Sequence, residues 1–346
     1  MRRLSPTSNG KLRPLGLPAL EDKSVAKAVA MLLEAIDAQD CCDASDGFRP
    51  GRSPHHALHE VRQGRLTNGI GDVIDCDISA CCDNVPPDTL RTILRKRLKD
   101  GRVLELIEMG LKAGILDGKE MGCPDKGSPQ GSVLSPLLAT VYLHEVLDTW
   151  CETVVQAHCR GKVVLSRYAD EVVSGCERAE DARRISEVRP QRCAKYGLEI
   201  TTEQTTVVRF GRPQRSSADR QAGTFSFLGF VHSWGQTWRG SHTSTRKTEG
   251  KRLRRRLGAF WRWCRDNRHR PLQEQDMFLC AKRRGYSQYY GVRCHSPCLD
   301  LVDSAATRAW RYWLNRRGGR KMTWRAFGRM MAAYPLPRPK IVKGWV

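Results

Sequence analysis

Two acids stand side by side in SRYADEVVSG, residues 166–175, directly after an aromatic residue and inside a β-branched apolar run. Neighbouring carboxylates at a half-buried turn repel each other and lose hydration, so Asp170 and Glu171 are unfavourable there unless a positive group sits between them. A third acid, Asp77, closes the apolar run VIDCD 93 residues earlier. Taken singly, an Asp at a strand end is most often a cap or an ion-pair partner. Two or three carboxylates brought together are instead a hard oxygen-donor set for two Mg²⁺ ions, with Mn²⁺ as a substitute. Such a pair, about 3.5–4 Å apart, activates a hydroxyl nucleophile and stabilises a phosphate leaving group. Lys11 and Arg13, on a stretch punctuated by Gly10, Pro14, Gly16 and Pro18, then suit a clamp on a triphosphate. By composition alone they read equally as solvated surface charge.

Those acids need elements to carry them. GDVIDCDISACCDNVPPDTLRTILRKRLKD predicts a strand ending in acids, a turn, and a helix begun at Pro86 or Pro87, where proline is tolerated. KGSPQGSVLSPLLATVYLHEV changes from a Gly/Ser/Pro loop to an apolar helix whose Leu134, Leu137, Leu138, Val141, Tyr142 and Leu143 give a broad buried face. Helices are expected from Glu21 to about Asp37, where Val25, Val29, Met31, Leu32, Leu33 and Ile36 recur near helical spacing, and from about Pro54 to Arg65. Strands follow around 163–173, a helix at about 179–195, strands around 198–210, and a short strand at FSFLGFVHSW. Mixed helices and strands with no demand for parallel pairing give an α+β fold.

The formal net charge of +22 is unevenly distributed. Residues 251–346 hold 24 Lys and Arg against 5 Asp and Glu, a net of +19, which leaves +3 for all the rest. A nearly neutral body carrying a strongly basic third points to a polyanion partner, with nucleic acid foremost. The composition changes near residues 240–250, where a domain boundary is expected. Trp residues at helical spacing in the basic part, such as Trp310 and Trp313, read as core; its Arg and Lys, too dense in one sign for pairing within a helix, read as phosphate contacts. Arg254, Arg255, Arg262, Arg283, Arg284, Arg316 and Arg317 are the candidates. Fourteen scattered cysteines without a repeated CxxC read as reduced thiols, and Cys294, His295 and Cys298 form only a weak metal-like cluster. No run of about 18 apolar residues and no signal-peptide core occurs, so a soluble, cytoplasmic protein of bacterial type without a membrane is expected, with nucleoid association left open.

Seven blocks, RPLGLPALEDK, GFRPGRSPHHAL, DISACCDNV, GSPQGSVLSPLLATVYLHEV, RYADEVVSG, GLEITTEQT and FLGF, stand in the order of the reverse transcriptase blocks of group II intron-encoded proteins. The basic tail, with RRGYSQYYGV, WRYWLNRR and TWRAFGRMMAAYPLPRPKIV, resembles the maturase domain of the same family. The resemblance runs from about Lys11 to Val342. It implies a right-hand polymerase: partial fingers at 1–70, a palm with an antiparallel sheet and the remaining finger elements at 71–240, and an α-helical thumb and RNA-binding maturase domain at 241–346. By position, Asp77 and Asp170 match the metal-binding aspartates, and Glu171 stands at the third. Pro129, Gln130 and Gly131 match the loop lining the nucleotide and template pocket, Lys11 and Arg13 the cations near the triphosphate, and Tyr168 the start of the acidic turn. Phe227, Leu228 and Gly229, with Phe230, match the segment that grips the primer end. The implied partners are group II intron RNA, an RNA template with a DNA primer, and deoxynucleoside triphosphates.

Several positions depart from the family pattern. The turn is Tyr-Ala-Asp-Glu instead of Tyr-Ala-Asp-Asp, so Glu171 adds a methylene at a Mg²⁺ site that demands near-ideal geometry, at a cost on the order of 10²-fold. Cys82 replaces the aromatic residue that screens the sugar, and Gln204 replaces a lysine that donates a proton to pyrophosphate. By the same resemblance the chain is expected to start inside the finger region and to lack the zinc-containing nuclease domain of many relatives, and these departures together imply either a weakened enzyme or a decayed, truncated copy. The expected function is RNA-directed DNA polymerase and intron maturase, assisting splicing and copying RNA into DNA. The alternative is an RNA-binding splicing maturase whose polymerase is impaired or lost; an RNA-templated RNA polymerase, suggested by Cys82, comes third.

Overall fold

The computed structural model describes residues 2–6, 12–16, 18–40, 42–62, 69–79, 81–112, 115–117, 120–122, 132–200, 205–213, 222–318 and 321–346. For 2–15, 37, 38, 40, 82, 83 and 115–122 the description is of the backbone at most. The chain divides into two compact units, Met1–Gly223 and Thr224–Val346.

The first unit opens with a hairpin, β1 (Arg2–Pro6) and β2 (Leu12–Gly16), in which Arg13 pairs with Ser5. Helix α1 (Leu20–Asp40) follows. Val29, Ala30 and Leu33 are buried on it, whereas Val25, Met31 and Leu32 face outward. The buried stripe is thus narrower than the apolar pattern suggested, because consecutive residues such as Met31, Leu32 and Leu33 project about 100° apart. Ser53 caps α2 (Pro54–Glu60) by accepting from the His56 N–H, and β3 (Asp72–Ser79) leads through α3 (Cys81–Asn84) to α4 (Pro87–Arg97), which begins at proline as expected. Then come α5 (Gly101–Lys112) and the small hairpin of β4 (Ile115–Asp117) and β5 (Glu120–Gly122).

Helix α6 (Ser135–Leu143) runs on through π-helical stretches at His144–Asp148 and Cys151–Val155 into α7 (Gln156–His158). All six apolar residues assigned to its buried face are buried. The remaining elements are β6 (Val163–Tyr168), β7 (Glu171–Cys176), α8 (Ala179–Lys195), β8 (Glu199–Ile200) and β9 (Thr206–Arg209). The sheet is antiparallel throughout, in the order β6–β7–β3, with β8 and β9 sharing the other edge of β3. Successive residues of a strand face opposite sides. Ile74, Cys76 and Ile78 therefore enter the core with Leu138, Tyr142 and Ile185, while Asp75 and Asp77 lie half-buried on the opposite side.

In the second unit FSFLGFVHSW is two strands instead of one. Leu228 and Gly229 take φ of +52° and +75°, the two left-handed positions of a tight hairpin turn. They join β10 (Phe225–Phe227) to β11 (Phe230–Gln236), which pairs with β12 (His242–Thr248). The turn between β11 and β12 contains residue 240, so the shift in composition there is internal to this unit. Four helices follow, α9 (Gly250–Asp266), α10 (Leu272–Tyr290), α11 (Ser296–Leu314) and α12 (Trp324–Ala333), around Phe260, Leu279, Val302, Trp310 and Phe327. Trp310 is fully buried and donates to Gln275 Oε1 at 2.8 Å.

Cys294, His295 and Cys298 form no metal cluster: His295 is buried and accepts the Thr248 backbone N–H at 2.9 Å, while Cys294 is exposed. All the described cysteines that can be assessed are free thiols. Among the described residues no helix is long and apolar enough to cross a membrane.

Candidate active site

Asp77 on β3 stands directly across from Glu171 on β7. The neighbouring Ile78 N–H donates to the Asp170 carbonyl at 3.3 Å. That bond makes Asp77 and Glu171 a non-hydrogen-bonded pair, the class in which antiparallel strands bring opposed side chains closest, with Cα atoms about 4.5 Å apart. Tyr168 pairs with Glu171, leaving Ala169 and Asp170 as the two-residue loop of the β6–β7 hairpin. Ala169 takes φ of +56°, the positive value that mirror-image hairpin turns require at their first position. Register and turn together bring all three acids to one end of the sheet.

The electrostatics record this convergence. Burial, then the fields of Asp170 and Glu171, push the Asp77 carboxyl from 3.8 up to about 6. Among the described residues the three acids do not form a closed ligand cluster. A region of negative potential built from hard oxygen donors nevertheless matches what Mg²⁺ or Mn²⁺ takes. Residues 114, 118, 119 and 123–131, and with them Pro129, Gln130 and Gly131, lie outside the described residues, as do Lys11 and Gln204. The side chains of Arg13 and Cys82 are also not described.

Behind the turn lies a support that sequence reasoning missed. Arg167 is fully buried and grips the equally buried Asp148 with two bonds, Nε to Oδ1 at 2.8 Å and Nη2 to Oδ2 at 2.5 Å. Its Nη1 donates to the Ala169 carbonyl at 3.3 Å, tying the acidic turn to the helix that carries Asp148. Burial acts to raise the Asp148 pKa, but the Arg167 charge outweighs it and holds the carboxyl below its ordinary value. On the outer edge of β6, the Asp46 N–H donates to the Arg167 carbonyl at 3.0 Å and the Arg167 N–H to the Ala44 carbonyl at 2.7 Å. Gly47 then lies so close that a Cβ there would sit 2.4 Å from the Ala169 nitrogen. The only hint in the sequence was the pairing of Arg with the Tyr-Ala-Asp-Glu turn and a glycine in the SDGF segment.

The second unit holds the cationic surface. Residues 224–346 contain 27 Lys and Arg against 6 Asp and Glu. Arg254, Arg255, Arg262, Arg284, Arg316 and Arg317 are exposed. Arg283 is not among them: it is buried in the helical core and ion-paired with Asp303, because its position on α10 faces α11. A cavity of about 250 Å³ is lined by Arg252, Arg255, Arg256, Tyr286 and Tyr290, with no acidic residue in its wall. The primer-grip candidates Phe227, Leu228 and Phe230 are buried, so that turn offers mainly backbone; the Leu228 carbonyl accepts from Tyr289 Oη at 3.0 Å.

Residues 5–232 match the family described as "Reverse transcriptase (RNA-dependent DNA polymerase)". The chain belongs to that family. It is 41% identical over 136 residues to the group II intron-encoded protein LtrA of Lactococcus lactis subsp. cremoris, covering 39% of this chain and 22% of that one. To protein YkfC of Escherichia coli it is 42% identical over 145 residues, covering 40% and 38% respectively. The matched stretch thus spans well under half the length of these relatives. Among solved structures, apo telomerase from Candida tropicalis superposes with a TM-score of 0.51 at 10% identity, covering 91% of this chain and 59% of that one. At that identity the likeness is one of fold: the α+β architecture of reverse transcriptases, as expected from the ordered blocks.

Proposed function

We propose that the protein is an RNA-directed DNA polymerase and group II intron maturase, which binds intron RNA, assists its splicing and copies RNA into DNA from deoxynucleoside triphosphates. The observation that carries this reading is the cross-strand pairing of Asp77 with Glu171 beneath the Asp170 turn. Asp77, Asp170 and Glu171 would hold two Mg²⁺ ions, which when bound acidify the primer 3′-hydroxyl and neutralise the departing pyrophosphate. The chain's own part is to keep the three carboxylates in register. Asp77 presents its oxygens from the end of the central strand β3, and Arg167 holds the turn that carries Asp170. Lys11 and Arg13 would steady the triphosphate, Gln130 and Gly131 line its pocket, Cys82 faces the sugar, and the backbone at Leu228 and Gly229 supports the primer end. In this reading residues 1–70 are partial fingers, 71–240 the palm, and 241–346 the thumb and maturase domain.

The arginine-lined cavity supports the nucleic-acid half of the proposal. Lys251, Arg252, Arg254, Arg255 and Arg256 crowd the start of α9, where the helix dipole disfavours cations. A strand's phosphates would relieve that repulsion. Primer extension on an RNA template tests the whole: incorporation by the wild type that disappears in Asp77→Ala supports it. Tight, salt-sensitive RNA binding without any incorporation would identify a splicing maturase with a lost polymerase instead.

A further inference from the structure

On α9 and α11 lies an aromatic cluster that the cavity and the acidic turn leave unused. Trp261 is 40% exposed and Tyr312 is 36% exposed, with ring centroids 4.6 Å apart and planes inclined by 38°. Trp313 closes the group edge-on, 5.9 Å from Trp261 and 5.1 Å from Tyr312. The Arg316 guanidinium lies 3.5 Å from the Tyr312 centroid. The core beneath is filled by Phe260, Cys264, Trp310 and Leu314, so Trp261 and Tyr312 are not required to complete it.

The position of the cluster separates it from the cavity. Trp261 is nine residues beyond Arg252, half a turn round α9 at 100° per residue, and therefore points to the opposite side of the helix. On α11, Arg308 stands one turn before Tyr312 on the same face, and Arg316, just past the end of that helix, folds back over the Tyr312 ring, so cations lie on both sides of it. On α9, Gly258 carries no side chain one turn before Trp261, and a Cβ there would be in ordinary contact with Arg262 Nη1 at 3.7 Å, which places that guanidinium beside the rings.

The occupant follows from this mixture of chemistries. An apolar protein segment would cover the rings but desolvate the guanidiniums without neutralising them. A nucleobase stacks on aromatic and guanidinium planes alike, and the phosphates on either side of it answer the cations. A base inside a paired stem hides both its faces, so only an unpaired one can lie flat here.

We propose that Trp261, Tyr312 and Arg316 form a stacking platform for an unpaired nucleobase of RNA, with Arg262 and Arg308 meeting the adjoining phosphates. The proposal rests on the reading that the second unit binds nucleic acid, and adds that this face selects loops, bulges or single strands over continuous duplex.

The test compares the full-length wild type with Trp261→Ala, Tyr312→Ala and Trp261→Phe. Each is titrated with an RNA hairpin bearing a large loop and with a blunt RNA duplex of the same stem, over 50–300 mM KCl. Both alanine variants are expected to lose roughly 5- to 150-fold in affinity for the looped RNA, the range of one base–aromatic stack. Affinity for the duplex and the slope of log K against log salt stay as in the wild type, because no phosphate contact is removed. Trp261→Phe retains most of the looped-RNA affinity, which also excludes misfolding as the cause. Unchanged affinity in the alanine variants, an equal loss on duplex, or a flattened salt slope overturns the platform alone. Failure of the wild type to bind either RNA overturns the nucleic-acid reading along with it.

Discussion

Gly47→Ala is the sharpest perturbation of the proposed site that leaves all three acids in place. The added Cβ would lie 2.4 Å from the Ala169 nitrogen, 3.1 Å from its Cα and 3.2 Å from the Tyr168 carbonyl carbon. Ordinary contact begins near 3.5 Å, so one backbone must yield by about 1 Å. The 44–47 segment is pinned to β6 by the two backbone bonds flanking Arg167, which shifts the burden onto the turn that carries Asp170. Overpacking of this kind costs about 1–3 kcal/mol of stability, and a 1 Å misplacement of a reacting group costs on the order of 10²-fold in rate. Single-turnover primer extension over a Mg²⁺ titration is the assay. The variant is expected to fall about 10²-fold in maximal rate and to need more Mg²⁺, while RNA affinity stays unchanged. Gly101→Ala, at the start of α5 where a Cβ would meet nothing within 4 Å, serves as the silent control. A Gly47→Ala rate within twofold of the wild type would refute the claim that this glycine sets the position of the turn.

Asp77→Asn should stabilise the metal-free protein at pH 8. The Asp77 carboxyl titrates near 6 when folded against 3.8 in the free chain, so the folded state holds the extra proton between those values and stability falls as pH rises through that window. At 1.36 kcal/mol per pKa unit the ceiling is about 3 kcal/mol, reduced to about 1–2 by partial exposure. Urea denaturation with EDTA at pH 5 and pH 8 measures it, and a loss of stability at pH 8 counts against the crowding of acids. Asp148→Ala strands a buried guanidinium and should cost about 3–5 kcal/mol. By contrast, Asp43→Ala, which removes an exposed partner of Arg52, should cost under about 1 kcal/mol, and equal losses in thermal unfolding would contradict the assigned roles. Glu171→Asp should raise polymerase turnover by restoring the shorter ligand; unchanged or lower turnover would mean that the longer acid is suited to this site. Replacing Arg252 and Arg256 together with Gln should lower the salt slope of RNA binding by about 1–2, and an unchanged slope would show that the cavity meets no phosphate.

Local signals survived best from sequence to structure. The bounds of α8, the start of α4 at proline and the buried face of α6 were all legible, because periodicity and proline act within a few residues. So was the placing of Asp170 and Glu171 at a hairpin between two β-branched runs. Where the pattern misled, a position's partner lay elsewhere in the chain. Arg283 sits in a basic run yet turns inward to Asp303, and Leu32 has an apolar side chain on a face of α1 that is exposed among the described residues.

By itself the sequence determined which residues could do chemistry and the order in which the elements carry them, since residue type and short-range periodicity are properties of the chain alone. Only the tertiary structure decided that Asp77 opposes Glu171, that Arg167 holds the turn through a carboxylate on another helix, and that Gly47 leaves room for it. Those contacts depend on strand register and on close packing between segments distant in the chain, neither of which leaves a mark in any one segment.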